Sequence, residues 1–444
     1  MLEAVTGALV QGGEILVVRR QPYLPVFPGF LAFPGGKIDQ ADVAGNFSHP
    51  LVDPFPTSHV QALCRELAEE LGFDLKQALA QGEVSSLALM GTSITPIFDR
   101  YRFRVHHFKI MLKRRPVIEA DHNEIAWHGW ASGKALIERF ERGQELMVIP
   151  TRNILKTLAR DINSELVTPL GLSYVEDREL PFIELIKGIG IIPVPSMTLP
   201  PARYTNAVLI GDPGSPLCLV DPSPESEDVY RKLLETLSTY PPAMLLITHH
   251  HPDHHQYAPR LARQLNLPLL CTETTARRLE ATYGHQYLES VTVRPIGEGT
   301  VITRWLGEPV RCIELPGHDD GMVGLAPDSL SWFLISDLIQ TMGSVVIPEP
   351  EGDMQAYLDT LQRVIAMQPR VIIPAHGIPA GGTWLLEQVL EHRLDREDNI
   401  LFLHHAGKTQ DEMLSVLYPG LEAKLLPLAR QNIRQHMRKL GLLN

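Results

Sequence analysis

Residues 248–254 read Thr-His-His-His-Pro-Asp-His, which puts His249, His251, Asp253 and His254 within six residues. Neutral imidazoles and carboxylates are the ligands that zinc and similar divalent ions prefer. A metal held there could lower the pKa of water enough to make a nucleophile at neutral pH. The plain alternative is a histidine-rich surface loop. Against that stands the apolar run Met244-Leu245-Leu246-Ile247 just before the cluster, which reads as a buried strand aiming its end at one spot.

Three further candidates each follow an apolar strand-like run. His318 follows Ile313–Gly317, Asp337 follows Trp332–Ser336, and His376 follows Val371–Ala375. A lone histidine after a strand is usually structural, but three such residues beside an existing cluster suggest one site. Asp221 closes another short apolar run. It reads equally as a partner for a metal histidine and as a turn carboxylate before Pro222.

The seven positions resemble the metallo-β-lactamase superfamily, whose pattern is H-x-H-x-D-H followed by separate His, Asp and His. The resemblance covers residues 187–390 and implies an αββα sandwich with the site along one edge. It implies that His249, His251 and His318 hold one metal and that Asp253, His254 and His376 hold a second. Asp337 would bridge the two, and Asp253 would also orient the nucleophile as a catalytic residue. Two Zn2+, or Mn2+ or Fe2+, would be the cofactors of an ester, thioester or phosphodiester hydrolase. Relatives that use iron for sulfur or redox chemistry supply the alternative. His250 and His255 have no slot in the pattern, and Gln256-Tyr257 stand where many relatives have small residues.

A second constellation lies upstream. In Arg65-Glu66-Leu67-Ala68-Glu69-Glu70-Leu71-Gly72-Phe73, helical spacing puts Glu66, Glu69 and Glu70 on one face. Such carboxylates repel unless a cation sits among them, and hard oxygen ligands suit Mg2+ or Mn2+. With Phe33-Pro34-Gly35-Gly36 upstream, the stretch resembles the Nudix box, G-x5-E-x7-R-E-U-x-E-E-x-G-U. The second half matches throughout. In the first half Asp42 replaces the glutamate and the spacer to Arg65 is longer. Some coenzyme A-directed members carry insertions there, but Pro25 stands where they have an arginine. The resemblance implies an α/β/α sandwich in which Glu66, Glu69 and Glu70 bind the metal and help to cleave a diphosphate linkage, with Glu70 catalytic. The competing reading is a Nudix module that only binds a ligand or supports the rest of the chain.

The elements that must position these groups follow the same division. Residues 4–18 read as a hairpin, 58–72 as a helix, 99–112 as a strand, and 133–142 and 151–164 as helices. From residue 187 strand–loop–helix units restart, with strands at 191–195, 207–210, 217–220 and 243–247 and a helix at 225–239. The expected organisation is a Nudix-like domain over 1–165, a linker over 166–186, a metallo-β-lactamase-fold domain over 187–390 and a small helical tail over 391–444. The tail is similar to the winged-helix-like tail of the β-lactamase-like protein 2 group, which includes single-strand endoribonucleases. Lys424, Arg430, Arg434, Arg438 and Lys439 would contact phosphates there, or else form an ordinary solvated face. His392, His404 and His405 read as surface or packing residues of this tail.

Length and composition frame the rest. A chain of 444 residues with 44% hydrophobic and 21% charged residues reads as a soluble globular protein of two or three domains, and the resemblances above imply an α/β and α+β multidomain fold. A net charge of −12 disfavours non-specific binding to nucleic acid or anionic membrane. The expected partner is therefore a small-molecule substrate, with single-stranded RNA second, no membrane, and an oligomer open. Four scattered cysteines and no signal peptide place the chain in the cytoplasm.

Overall fold

The computed structural model describes residues 1–96 and 101–443. The chain forms two compact units, Met1–Tyr174 with Ile183–Lys187, and Val175–Phe182 with Gly188–Asn444.

The first unit opens with the hairpin β1 (Leu2–Gln11) and β2 (Glu14–Arg20), turned by Gly12 and Gly13 at positive φ. It continues through β3 (Leu31–Ala32), α1 (Gln40–Val43), α2 (Thr57–Leu71), α3 (Leu75–Ala80), β4 (Val84–Ile94), β5 (Phe103–Leu112), β6 (Ile125–Ser132), α4 (Gly133–Glu141), α5 (Ile149–Arg160) and β7 (Ile183–Ile186). Residues 99 and 100 of the strand expected over 99–112 lie outside the described residues. Five strands run in the order β3-β2-β1-β5-β4, and β6 pairs with β2. One face of this sheet buries Val5, Leu9 and Phe108 against Leu63, Leu67 and Leu71 of α2. The other buries Ala8, Val10 and Ile15 against Leu136 and Phe140 of α4 and Ile154 and Leu158 of α5. The alternation of side chains along each strand creates these two faces and hence an α/β/α sandwich. Within residues 166–186, Val167 and Leu170 are buried in the α4–α5 layer. Further on in this stretch, Leu185 accepts a backbone bond from Met147.

The second unit contains β8 (Ile189–Pro195), β9 (Tyr204–Ile210), β10 (Cys218–Val220), α6 (Glu227–Thr239), β11 (Met244–Leu246), α7 (Pro252–His255), α8 (Ala258–Leu265), β12 (Leu269–Cys271), α9 (Glu273–Tyr283) and β13 (Val293–Pro295). These strands pair in the order β13-β12-β11-β10-β9-β8. The outer face of this sheet carries α6, α8 and α9 over Leu219, Leu245 and Leu269. A second sheet, β14-β15-β16-β17-β18-β19, is built from Val301–Trp305, Glu308–Glu314, Val323–Pro327, Phe333–Ser336, Val371–Pro374 and Ala380–Gly381. It is covered by α10 (Met354–Met367) and the start of α11 (Trp384–His405). Backbone bonds from Asn206 to Ala375 and from Val323 to Thr248 join the two sheets into an αββα sandwich.

The tail completes the second unit with α12 (Gln410–Leu417) and α13 (Leu426–Lys439). Its own small core gathers Ile400, Met413, Leu414, Ala429, Ile433 and Met437. α11 is continuous from Leu386 in the sandwich core to Ile400 in the tail core, so one helix carries the chain from one layer to the next. No helix among the described residues is long and apolar enough to cross a membrane.

Candidate metal centre

The seven histidines and aspartates of the second unit lie at the carboxyl ends of strands. β10 and β11 run parallel and deliver Asp221 and the 249–254 cluster to the same end. β17 and β18 are also parallel and deliver Asp337 and His376, while His318 follows β15. Local chain chemistry sharpens the aim. Pro252 starts α7 with His251 as its cap, which turns His254 back toward the strand end. Gly317, at φ +134°, packs so closely on α10 that an added Cβ would lie 2.3 Å from the Tyr357 Cα. Only glycine lets the chain make that approach one residue before His318.

The side chains converge. His251 Nδ1 lies 3.0 Å from His249 Nε2 and 2.9 Å from His318 Nε2. Asp337 Oδ2 lies 3.7 Å from His318 Nε2 and 3.5 Å from His254 Nε2, and Asp337 Oδ1 lies 3.3 Å from His376 Nε2. Asp253 sits 3.4 Å from His376 Nε2 and 3.7 Å from His254 Nε2. Two ligand-like groups result, His249–His251–His318 and Asp253–His254–His376, with ligand atoms within 4.8 Å of one another. Asp337 stands between them.

Each imidazole is locked by its outer nitrogen. His254 Nδ1 is 2.8 Å from Asp221 Oδ2, His318 Nδ1 is 2.7 Å from the Val346 carbonyl, and His376 Nδ1 is 2.9 Å from the Tyr204 carbonyl. His249 Nδ1 faces the Thr248 hydroxyl at 3.1 Å. His251 is reversed. Its Nε2 meets Glu351 Oε1 at 3.2 Å, so that Nδ1 faces inward. Such outer bonds fix tautomer and orientation.

A cation set suits what these bonds leave over. His254 Nε2, Asp337 Oδ1 and His376 Nε2 are buried with no hydrogen-bond partner among the described residues. Buried polar atoms are rarely left so, and each unmade bond costs about 1–3 kcal/mol. Protonation shows the same demand for positive charge. Although burial opposes it, Asp337 and Asp253 raise His254 well above the usual range and His376 to about 10. Burial and neighbouring imidazoles lower His249, and lower His318 to about 4. Burial would raise Asp253 and Asp337, but His254 and His376 outweigh it and hold both well below the usual carboxylate range.

Residues 200–376 match the family model of the metallo-beta-lactamase superfamily. The second unit carries a metallo-beta-lactamase domain. Residues 409–441 match the beta-lactamase-associated winged helix domain, so α12 and α13 belong to that module. The fold of this metallo-beta-lactamase domain recurs in a beta-lactamase domain protein from Burkholderia ambifaria. That protein is 19% identical, with a TM-score of 0.51, over 61% of this chain and 93% of that one. A metallo-beta-lactamase family protein from Thermus thermophilus is 21% identical with a TM-score of 0.46, over 58% and 95%. A NUDIX hydrolase from Alicyclobacillus acidocaldarius is 22% identical with a TM-score of 0.31, over 37% of this chain and 94% of that one. No curated protein matches the chain.

Contacts around the metallo-beta-lactamase centre add partners to the residues singled out above. Asp221 takes bonds from Thr248 N at 2.8 Å and Thr248 Oγ1 at 2.7 Å as well as facing His254. These contacts make Asp221 a partner of His254 as well as of Thr248. His250 pairs with the fully buried Asp319, and His255 Nδ1 meets the Tyr287 hydroxyl at 2.6 Å. Tyr257 stacks on Tyr230. Glu351 sits in a Pro-Glu-Pro-Glu-Gly loop that no ligand pattern marks. α13 secures this loop, because Asn432 accepts from Ile347 N at 2.9 Å and Gln435 donates to the Gly352 carbonyl at 2.9 Å.

The basic residues of the tail are already engaged. Arg434 and Arg438 pair with Glu349, Lys439 with Glu397, Arg430 with Asp411 and Lys424 with Glu422.

In the first unit the three box glutamates diverge. Glu70 is buried and accepts from Gly35 N at 2.8 Å. Glu66 packs against Gly36, while Glu69 is 60% exposed. The cation among them is the chain's own Arg65, 2.9 Å from both Glu66 and Glu69. Arg65 also bonds both oxygens of the buried Asp42, so the shorter aspartate makes the contact at this position. Burial raises Glu66, and raises Glu70 to about 8. Glu66, Glu69 and Glu70 form no convergent ligand group among the described residues.

Proposed function

We propose that the second unit is a hydrolase with a binuclear metal centre, held by His249, His251 and His318 on one side and by Asp253, His254 and His376 on the other, with Asp337 shared. The observation that carries this reading is the convergence of His254 Nε2, Asp337 Oδ1 and His376 Nε2 inside that ring, buried and without a hydrogen bond among the described residues. Two divalent cations bound there would act as Lewis acids and lower the pKa of water. The protein groups do the orienting. Asp253 is the more exposed of the two carboxylates, at 15% against 6% for Asp337, and it is held ionised. Its Oδ atoms can accept a hydrogen bond from a water and fix the direction of its lone pair. Thr205 Oγ1, 2.8 Å from the Asp253 carbonyl, holds the backbone that carries this carboxylate. The buried ring around it excludes bulk water.

A small ester, thioester or phosphodiester is the proposed substrate. The ion pairs that occupy the basic residues of α13 support this choice over single-stranded RNA. We read the chain as domains over 1–165, 187–390 and 391–444, and its four buried free thiols support a reducing, cytoplasmic setting. For the first unit we propose a Nudix-like module that binds a nucleotide-like ligand or supports the chain. Arg65 pairs with Glu66 and Glu69 while Glu70 accepts from Gly35 N, and no step is derived through a cation there.

The test is metal analysis with a hydrolase panel on wild type, Asp253→Ala and Glu70→Gln. The panel spans phosphodiesters, single-stranded RNA, thioesters, nucleoside diphosphate sugars and coenzyme A. Zinc at about two per chain and loss of one activity in Asp253→Ala support the reading. A single iron, or an intact panel in Asp253→Ala, overturns it. Diphosphatase activity that Glu70→Gln removes would overturn the ligand-binding role of the first unit.

A further inference from the structure

The first unit gathers a second set of metal-ligating side chains away from its box glutamates. Glu3 on β1, His59 in the first turn of α2 and His106 on β5 bring their ligand atoms within 4.8 Å of one another. They come from three elements, and the fold alone makes them neighbours. The parallel register sets Ala4 against Val105 and Val5 against His106, which puts Glu3 and His106 at the same end of the sheet. α2 packs over that face and brings His59 above them, with the two imidazoles 4.0 Å apart between ring centroids and tilted by 31°.

The outer contacts already hold the set. His106 Nδ1 faces Thr92 Oγ1 at 3.1 Å, which leaves Nε2 toward Glu3 Oε2 at 2.9 Å. Arg104 takes the other oxygen, Glu3 Oε1, at 3.0 Å. One atom is left over. His59 Nδ1 is sealed from solvent and has no hydrogen-bond partner among the described residues. A buried nitrogen without a partner costs about 1–3 kcal/mol, and its ring stands beside a second imidazole and a carboxylate, a setting that suits a cation. Burial and the adjacent His106 hold His59 below its usual pKa, and the positive end of the helix dipole at the start of α2 acts the same way. His59 is therefore neutral, the form that binds metal.

We propose that Glu3, His59 and His106 form a third metal site, of two imidazoles and one carboxylate, suited to Zn2+. On binding, His106 carries its proton on Nδ1, where Thr92 Oγ1 accepts it, so that Nε2 and Glu3 Oε2 are both free to hold the cation together with an imidazole nitrogen of His59. Tetrahedral zinc with bonds of about 2.0–2.2 Å spaces its ligand atoms roughly 3.3–3.5 Å apart. The 2.9 Å contact between His106 and Glu3 thus opens by a few tenths of an ångström, and the wider ligand spacing closes. Three protein ligands leave the fourth position for water or a ligand. Arg104 opposes the cation, so the site is weaker than the seven-residue centre. Its existence does not depend on what that centre does.

Zinc titration into metal-stripped full-length protein tests it, with bound zinc counted at saturation for wild type, His59→Ala, His106→Ala and Glu3→Gln. Each variant is expected to bind one equivalent fewer than wild type. In wild type, zinc is also expected to shift the ring resonances of His59 and His106 together. His59→Gln, a mild change in the first turn of α2, keeps the test valid if His106→Ala fails to fold. Equal zinc content in wild type and the folded variants, or histidine resonances that zinc does not move, overturns the proposal.

Discussion

Asp221→Asn alters one atom of a side chain that is 1% exposed and bonded on all sides. Asp221 Oδ1 accepts from Thr248 N, and Oδ2 faces both Thr248 Oγ1 and His254 Nδ1. With asparagine the remaining oxygen can stay with Thr248 N, and the new amide then points its hydrogens at the other two. Thr248 has an escape, because its hydroxyl also lies 2.8 Å from Ser336 Oγ. His254 has none. It must lose the bond or move its proton to Nε2, the atom aimed into the centre, where the proton blocks the lone pair. A lost bond to a charged group costs about 1.5–3 kcal/mol. Metal affinity should therefore fall roughly 10–100-fold, with His254 still present. Competition against a chromogenic zinc chelator measures this, and thermal unfolding of the metal-free protein separates affinity from collapse. If Asp221→Asn binds zinc as tightly as wild type, Asp221 does not set the His254 tautomer.

Four further outcomes are expected. Glu351→Ala leaves His251 Nε2 without its acceptor, so zinc affinity should fall about tenfold while the thermal unfolding of the metal-free protein is little changed. Gly317→Ala forces a left-handed φ and a backbone clash ahead of His318, and should destabilise the second unit by about 2–4 kcal/mol in urea titration. Asp42→Ala strips Arg65 of its bidentate partner; since Arg65 is 25% exposed, the first unit should lose only about 1–2 kcal/mol. Glu70 keeps its proton in the folded state to about pH 8, whereas an unfolded chain releases it near 4.5. Metal-free stability should then fall as pH rises between these values, by at most about 1.4 kcal/mol per pH unit, and Glu70→Gln should flatten that slope in urea titrations at pH 5 and pH 8.

The residues that gather at the centre could be picked out in the sequence because most of them follow an apolar run that reads as a buried strand. Met244–Ile247, Trp332–Ser336 and Val371–Ala375 announce both the strand and where it stops. The helix over 58–72 was legible because burial on one face leaves a local period, and the hairpin over 4–18 because two apolar runs flank its turn. The partners of these residues were not. Asp221 stood out as a candidate partner, but its meeting with His254, and that of Glu351 with His251, span separations that leave no periodic trace. The box glutamates show the limit from the other side. Their helical spacing was plain, yet Asp42 and Gly35 brought different partners to Arg65 and Glu70, and the three carboxylates parted.

Glu3, His59 and His106 show it most fully, because none of the three lies in a motif and only the β1–β5 register and the docking of α2 make them neighbours. Local sequence determined which segments are strands and helices and which residue types stand at their ends, because backbone geometry and burial act over a few residues. Tertiary structure alone decided which nitrogen of each histidine faces inward, which carboxylate holds it there, and which charges are already spent on one another. Those outcomes depend on distances between segments far apart in the chain.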